Sequence, residues 1–203
     1  MGPMRNRLIL LAVGMALGLS VAACDRPTQS ARVTSSGEAM VGGPFQLVDQ
    51  DGRPKDQTLL KGKWSAVFFG YTYCPDVCPT TMQALAGAEA KLGDKAKNLQ
   101  VVFVTIDPAR DTPAQLKTYL STPAFPKGAI GLTGTPAQVA AAAKAYRVYF
   151  QKEGPAEGYS VAHSSIVYLM NPAGKFAAAL TESQTPSEVA TQIGDAMASG
   201  ARG

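Results

Sequence analysis

Trp64-Ser65-Ala66-Val67-Phe68-Phe69-Gly70-Tyr71-Thr72-Tyr73-Cys74-Pro75-Asp76-Val77-Cys78-Pro79 is the stretch on which the fold turns. Its first eight residues form an apolar and aromatic run of strand length, the pattern of a central strand buried on both faces. Pro79 constrains the next element. Inside a helix it would lose the bond to residue 75, whereas in a first turn its missing N–H costs nothing. A helix is therefore expected from about Cys78 to Leu92, with Cys74-Pro75-Asp76-Val77 as the loop at its N-terminus. Two thiols then stand about one turn apart where the helix carries partial positive charge. That setting favours the thiolate, which is both the nucleophile and the metal-binding form.

Downstream, Val101–Ile106 reads as a second buried strand ending at Asp107-Pro108, followed by a helix from about Thr112 to Leu120 and a short strand near Ile130-Gly131-Leu132. Thr135-Pro136-Ala137-Gln138 has the cap, first-turn proline and third-position glutamine of a helix start. Tyr146–Phe150 and Ser165–Met170 read as strands, the second turning through Asn171-Pro172-Ala173-Gly174 into Lys175–Leu180. Thr185-Pro186-Ser187-Glu188 opens a closing helix by the same capping logic. Upstream, Gly42-Gly43-Pro44-Phe45 and the turn Gln50-Asp51-Gly52 predict an N-terminal hairpin. The order predicts an α/β fold, a mixed central sheet flanked by helices. A redox-type cysteine motif between the first buried strand and its helix points to the thioredoxin-like member of that class.

The first residues do not belong to this domain. Arg5 and Arg7 precede an uncharged apolar run from Leu8 to Ala23, short of the ~20 residues a membrane span needs and laid out as a secretory signal. Val21-Ala22-Ala23-Cys24 resembles a bacterial lipobox, in which the cysteine is lipidated and becomes the new N-terminus; Asp25 resembles a signal for retention at the inner membrane. Residues 1–23 are thus expected to be a lipoprotein signal peptide, 24–41 a flexible tether rich in Ser, Thr, Gly and Ala, and 42–203 a single domain. The expected location is the periplasmic face of the bacterial cytoplasmic membrane, through a lipid anchor on Cys24. Loss of the leader takes 19 basic residues to 17 against 15 acidic ones. The scattered remainder builds no phosphate-binding stripe, which excludes nucleic acid as a partner.

With Cys24 lipidated, the exported domain keeps only Cys74 and Cys78. A disulfide between such close neighbours removes little chain entropy, so redox or metal chemistry explains the pair better than stapling. Thioredoxin-type oxidoreductases place two residues between their cysteines. Here there are three, which leaves room for both sulfurs to face one metal. His163, the single histidine, stands in an expected loop, Gly158-Tyr159-Ser160-Val161-Ala162-His163-Ser164. A lone histidine is most often a hydrogen-bonded structural residue. Two thiolates and one imidazole, however, make a soft site that suits Cu(I); zinc, which takes four protein ligands structurally or three plus water catalytically, ranks second.

These stretches together resemble the Sco (SenC) family of cytochrome oxidase assembly proteins. The resemblance runs from Gly42-Gly43-Pro44-Phe45, Asp49-Gln50-Asp51-Gly52 and Gly62-Lys63-Trp64 through the Phe69–Pro79 motif. It continues in Thr105-Ile106-Asp107-Pro108-Ala109-Arg110-Asp111-Thr112 and Leu132-Thr133-Gly134-Thr135-Pro136, and ends with His163-Ser164 and Tyr168–Gly174. The resemblance implies a thioredoxin-like fold binding one copper, Cu(I) or Cu(II), through Cys74, Cys78 and His163. It places Asp107, the acid of an Asp-Pro-x-Arg-Asp motif, close to the metal. The sequence departs from the family at Ala162, where many members carry an acid before the histidine. The implied function is a copper chaperone for cytochrome c oxidase, with the oxidase's copper-bearing subunit, a copper donor and a thiol reductant as partners. It is not expected to be an enzyme in the ordinary sense. The rival is a thiol–disulfide oxidoreductase that reduces the oxidase's copper-ligating cysteines, for which His163 would be dispensable. A peroxiredoxin-like peroxidase fits less well, because of the cysteine spacing and the distant histidine.

Overall fold

The computed structural model describes residues 41–200. The signal segment, Cys24 and all of the tether but Val41 lie outside the described residues. Strands β1 (Gln46–Asp49) and β2 (Pro54–Asp56) form the expected hairpin. The Asp49 carboxylate closes it by accepting from the backbone N–H groups of Asp51 and Arg53, each at 2.9 Å. Strand β3 (Trp64–Gly70) is buried at every position, as its unbroken apolar run requires. Helix α1 (Val77–Leu92), strand β4 (Leu99–Thr105), helix α2 (Pro113–Leu120) and strand β5 (Ile130–Thr133) come next, so that β3, β4 and β5 lie parallel.

Helix α3 (Pro136–Ala145) starts with the expected capping box, Thr135 and Gln138 each satisfying the other's backbone N–H. Strand β8 (Val167–Met170) pairs antiparallel with β3 and with β9 (Phe176–Leu180), and α4 (Pro186–Gly200) closes the chain. The seven-stranded sheet runs β2-β1-β5-β4-β3-β8-β9, a mixed sheet in a thioredoxin-like α/β fold. Phe68, Phe69, Phe103 and Leu169 from its central strands are fully buried. Helices α1 and α4 pack together so closely that a Cβ on Gly87 would lie 2.9 Å from Pro186.

Two sequence expectations need correction. The strand expected over Tyr146–Phe150 is displaced. Tyr146 ends α3, and Arg147 takes a positive φ of 57°. The strand, β6, runs instead over Phe150–Glu153. The loop expected before residue 165 contains a further strand, β7 (Ser160–His163), paired antiparallel with β6 in a separate two-stranded sheet. β6 is mostly exposed, β7 buries only Val161, and neither has the apolar alternation that announces a strand.

Candidate metal centre

Strand β3 ends at Gly70 and delivers the chain into the Tyr71–Asp76 loop. That loop is held from behind by Asp111. Its carboxylate accepts from the Thr72 N–H at 3.1 Å, the Thr72 hydroxyl at 2.7 Å and the Thr105 hydroxyl at 2.6 Å. Burial raises the pKa of Asp111, and the bonds from Thr105 and Thr72 oppose that rise. The Cys74 N–H donates to the Tyr71 carbonyl at 3.2 Å, which folds the loop back on the strand end.

Helix α1 begins at Val77, and the Asp76 side chain makes no bond to its first-turn amides. The Cys74 sulfur serves instead, accepting from the Cys78 N–H at 3.4 Å. Cys74 is partly exposed and Cys78 fully buried, and both are free thiols. The proton is shared unequally. The Cys78 side chain donates to the Cys74 sulfur, which, with backbone bonds from Cys78 and Asp76, takes Cys74 down to about 5 from its usual 9.0. Cys78, as the donor and deeply buried, is pushed far up. One thiolate and one thiol result. The buried sulfur fits only because residue 70 has no side chain: a Cβ there would lie 2.8 Å from the Cys78 sulfur and 3.0 Å from the Phe103 ring.

His163 arrives from the other sheet, at the end of β7. Its Nδ1 lies 3.0 Å from the Ser164 carbonyl oxygen, which can only accept, so Nδ1 carries a proton and, in the neutral ring, Nε2 is the nitrogen that faces the cysteines as acceptor. Nε2 lies 3.6 Å from the Cys78 sulfur. The edge-on rings of Phe68 and Tyr71, at 6.2 and 6.0 Å between centroids, fix the imidazole plane. The three donor atoms of Cys74, Cys78 and His163 all lie within 4.8 Å of one another. An ion with sulfur at ~2.3 Å and nitrogen at ~2.0 Å joins donors up to roughly 4.6 Å apart, so little movement separates this cluster from a metal site. Two soft sulfurs and an imidazole are a donor set for copper or zinc.

Asp107 stands outside that cluster. Its fully buried carboxylate accepts from Arg110 Nε and, at 2.7 Å, from the Tyr159 hydroxyl, with Lys152 Nζ at 3.8 Å. Arg110 also donates to the Tyr159 carbonyl at 3.0 Å, and its guanidinium lies over the rings of Tyr159, Tyr73 and Tyr71 at 3.8, 4.7 and 5.7 Å. Asp107 therefore ties strand β4 to the start of β7, and through it to His163. Sequence reasoning singles out Asp107 in its motif but misses Arg110, Asp111 and Tyr159. A second acid and an arginine just beyond a buried strand end are the available signal. Tyr71 is the other residue missed. Its hydroxyl accepts from the Val161 N–H at 3.3 Å and also bonds the Cys74 sulfur; burial is the main cause that lifts its pKa. Ala162 pairs with Gln151 in the β6–β7 ladder and brings no carboxylate to the site.

A model of the SCO1/SenC family matches residues 33–198. Protein SenC of Rhodobacter capsulatus is 36% identical over 188 residues, which cover 92% of this chain and 84% of that one. The mitochondrial relatives from Saccharomyces cerevisiae and Arabidopsis thaliana are longer, and the chain spans about half of them, 48% and 42%. Among solved structures, copper-bound ScoI of Bradyrhizobium japonicum superposes with a TM-score of 0.70 at 40% identity, over 76% of this chain and 98% of that one. BsSco, described as carrying a disulfide switch and as a member of the Sco family of cytochrome c oxidase assembly proteins, is similar at a TM-score of 0.59 and 26% identity, over 77% of this chain and 93% of that one.

Proposed function

The chain belongs to the SCO1/SenC family, and from that premise we propose that it binds one copper ion and delivers it during assembly of cytochrome c oxidase. The observation that carries this reading is the convergence of Cys74, Cys78 and His163, from two different sheets' neighbourhoods, with their donor atoms within 4.8 Å. The 40% identical ScoI structure with copper bound supports the choice of metal, and the BsSco description supports the oxidase.

Copper is the cargo. The cysteines must be reduced to receive it, because a disulfide cannot offer two thiolates. Cys74, already a thiolate and partly exposed, is the entry donor. Cys78 gives up its proton as the ion arrives, and Nε2 of His163 completes the set. Delivery then proceeds by exchange of these donors for soft ligands on the oxidase subunit. A copper donor and a thiol reductant complete the cycle. The location we propose is the periplasmic membrane face, with residues 1–23 removed and Cys24 lipidated.

The unequal thiols favour a second reading. A reactive, accessible Cys74 beside a buried, protonated Cys78 is also the pairing a thiol–disulfide reductase uses, one sulfur attacking and the other resolving. One experiment divides the two. The reduced domain should bind one copper per chain and the disulfide form none. Two thiolates suffice for Cu(I), whereas Cu(II) favours nitrogen and oxygen donors, so His163→Ala should weaken the Cu(II) complex and its sulfur-to-copper absorption while leaving disulfide formation intact. In cells at low copper the same variant should lose oxidase activity and regain part of it when copper is added. Full oxidase activity in that strain would establish the reductase reading instead.

A further inference from the structure

His163 rides on a two-stranded sheet that shares no ladder with the sheet that carries the cysteine loop. Backbone pairing reaches it only from four residues on, where Val167 of β8 pairs with Phe68 of β3, so side-chain contacts must set the last part of its distance to Cys74 and Cys78. Asp107 and Arg110 hold the start of β7 at Tyr159, four residues before His163. Nearer the histidine, Val161 turns its N–H away from the β6 ladder and onto a side chain, the Tyr71 hydroxyl, at 3.3 Å. Val161 and Tyr71 are both buried, at 4% and 3% exposure, so water does not replace this bond. The same tyrosine accepts the Cys74 N–H at its carbonyl and presents its ring edge-on to His163 at 6.0 Å and 84°.

Resting on the copper reading, we infer that Tyr71 is a positioning residue for the metal centre: its hydroxyl sets β7, and so the His163 imidazole, against the cysteine loop. One side chain thus touches the frames of both halves of the donor set. Removal of the hydroxyl leaves the ring, its contact with His163 and the Cys74–Tyr71 backbone bond in place; it also takes a bond from the Cys74 sulfur, a loss shared by Cu(I) and Cu(II). The register of the imidazole is lost. Because Cu(II) depends on the nitrogen donor more than Cu(I) does, the loss should fall mainly on the Cu(II) complex.

The test is Tyr71→Phe, read in two states. In the reduced, metal-free domain, amide exchange at Val161 should speed up at least tenfold, while amides in the middle of β4 such as Val102 keep their rates. In the Cu(II)-loaded domain, affinity should fall roughly threefold to tenfold, the range that corresponds to one lost hydrogen bond, with a shifted sulfur-to-copper absorption band and a smaller loss for Cu(I). In a His163→Ala background the same change should cost Cu(II) no more than it costs Cu(I), because the effect on Cu(II) in excess of that on Cu(I) acts through the imidazole. An unchanged Val161 rate overturns the inference, as do equal losses for Cu(I) and Cu(II) or additive effects with His163→Ala. A wild-type domain that binds no copper would overturn the copper reading, and the Val161 exchange rate would still decide whether Tyr71 holds the hairpin.

Discussion

The chemistry of the two cysteines is separated by a single turn of helix. Cys74 lies outside the first turn, where helix N–H groups and the Cys78 proton point at its sulfur; Cys78 lies inside that turn, sealed by Phe68, Phe103 and the bare backbone of Gly70. The same element therefore makes one sulfur anionic and the other neutral. A consequence can be measured with an alkylating reagent. Cys74, held down to about 5, is a thiolate at pH 7, so its alkylation rate should stay nearly flat from pH 8 to about 6 and fall below about 5 as the sulfur takes up a proton. Cys78 should react only after unfolding. A Cys74 rate that rises roughly fifteenfold between pH 7 and 8.5, as for a free thiol of pKa near 8.5, would contradict the assignment. Both sulfurs are visible in the sequence because a three-residue spacing before a first-turn proline admits little else. Their inequality is not, since it depends on the burial of Cys78 between Gly70 and Phe103, which meet only in three dimensions.

At the scale of elements, close approach depends on small residues. Gly131 in β5 lets α2 lie so near that a Cβ would come within 2.7 Å of Leu120 and 3.2 Å of Leu116. Gly194 in α4 has room for a methyl group, which would make an ordinary contact with Leu92 at 3.7 Å. The two glycines should thus respond with opposite signs. Gly131→Ala should destabilise the domain by about 1–3 kcal/mol through overpacking. Gly194→Ala should stabilise it by about 0.5–1 kcal/mol, since glycine is unfavourable inside a helix. Urea unfolding of the two variants decides the matter, and a shared sign would refute the packing argument. Elements of this buried kind are legible from sequence: β3 and β4 by their apolar runs, α2, α3 and α4 by Thr-Pro starts whose threonines cap them. The β6–β7 hairpin escapes because Phe150-Gln151-Lys152-Glu153 and Ser160-Val161-Ala162-His163 bury little beyond Val161. Their order comes from partners distant in sequence, Tyr71 and Asp107, so no local pattern announces them.

For the whole molecule, the reading of the N-terminus sets where any of this chemistry takes place. If Cys24 carries a fatty acyl group, a radiolabelled fatty acid should enter the protein and Cys24→Ser should abolish it, leaving a soluble periplasmic domain or an unprocessed precursor. Undiminished labelling of the variant would remove the anchor from the proposal. The hairpin that escapes the sequence has one more effect, and it concerns chain topology. Cys74 and Cys78 with a bound ion close a ring only a few residues around, whereas Cys78 and His163 are 85 positions apart. The entropy lost on ring closure grows with the logarithm of the loop, so copper held by all three donors restrains the unfolded chain about twice as strongly through the imidazole as through the sulfur pair. Breaking that one bond reopens the large ring, while Tyr71 and Asp107 still hold the hairpin and the small ring still grips the ion. The histidine bond of the metal thus ties together parts of the chain 85 positions apart, and its two sulfur bonds only a short loop.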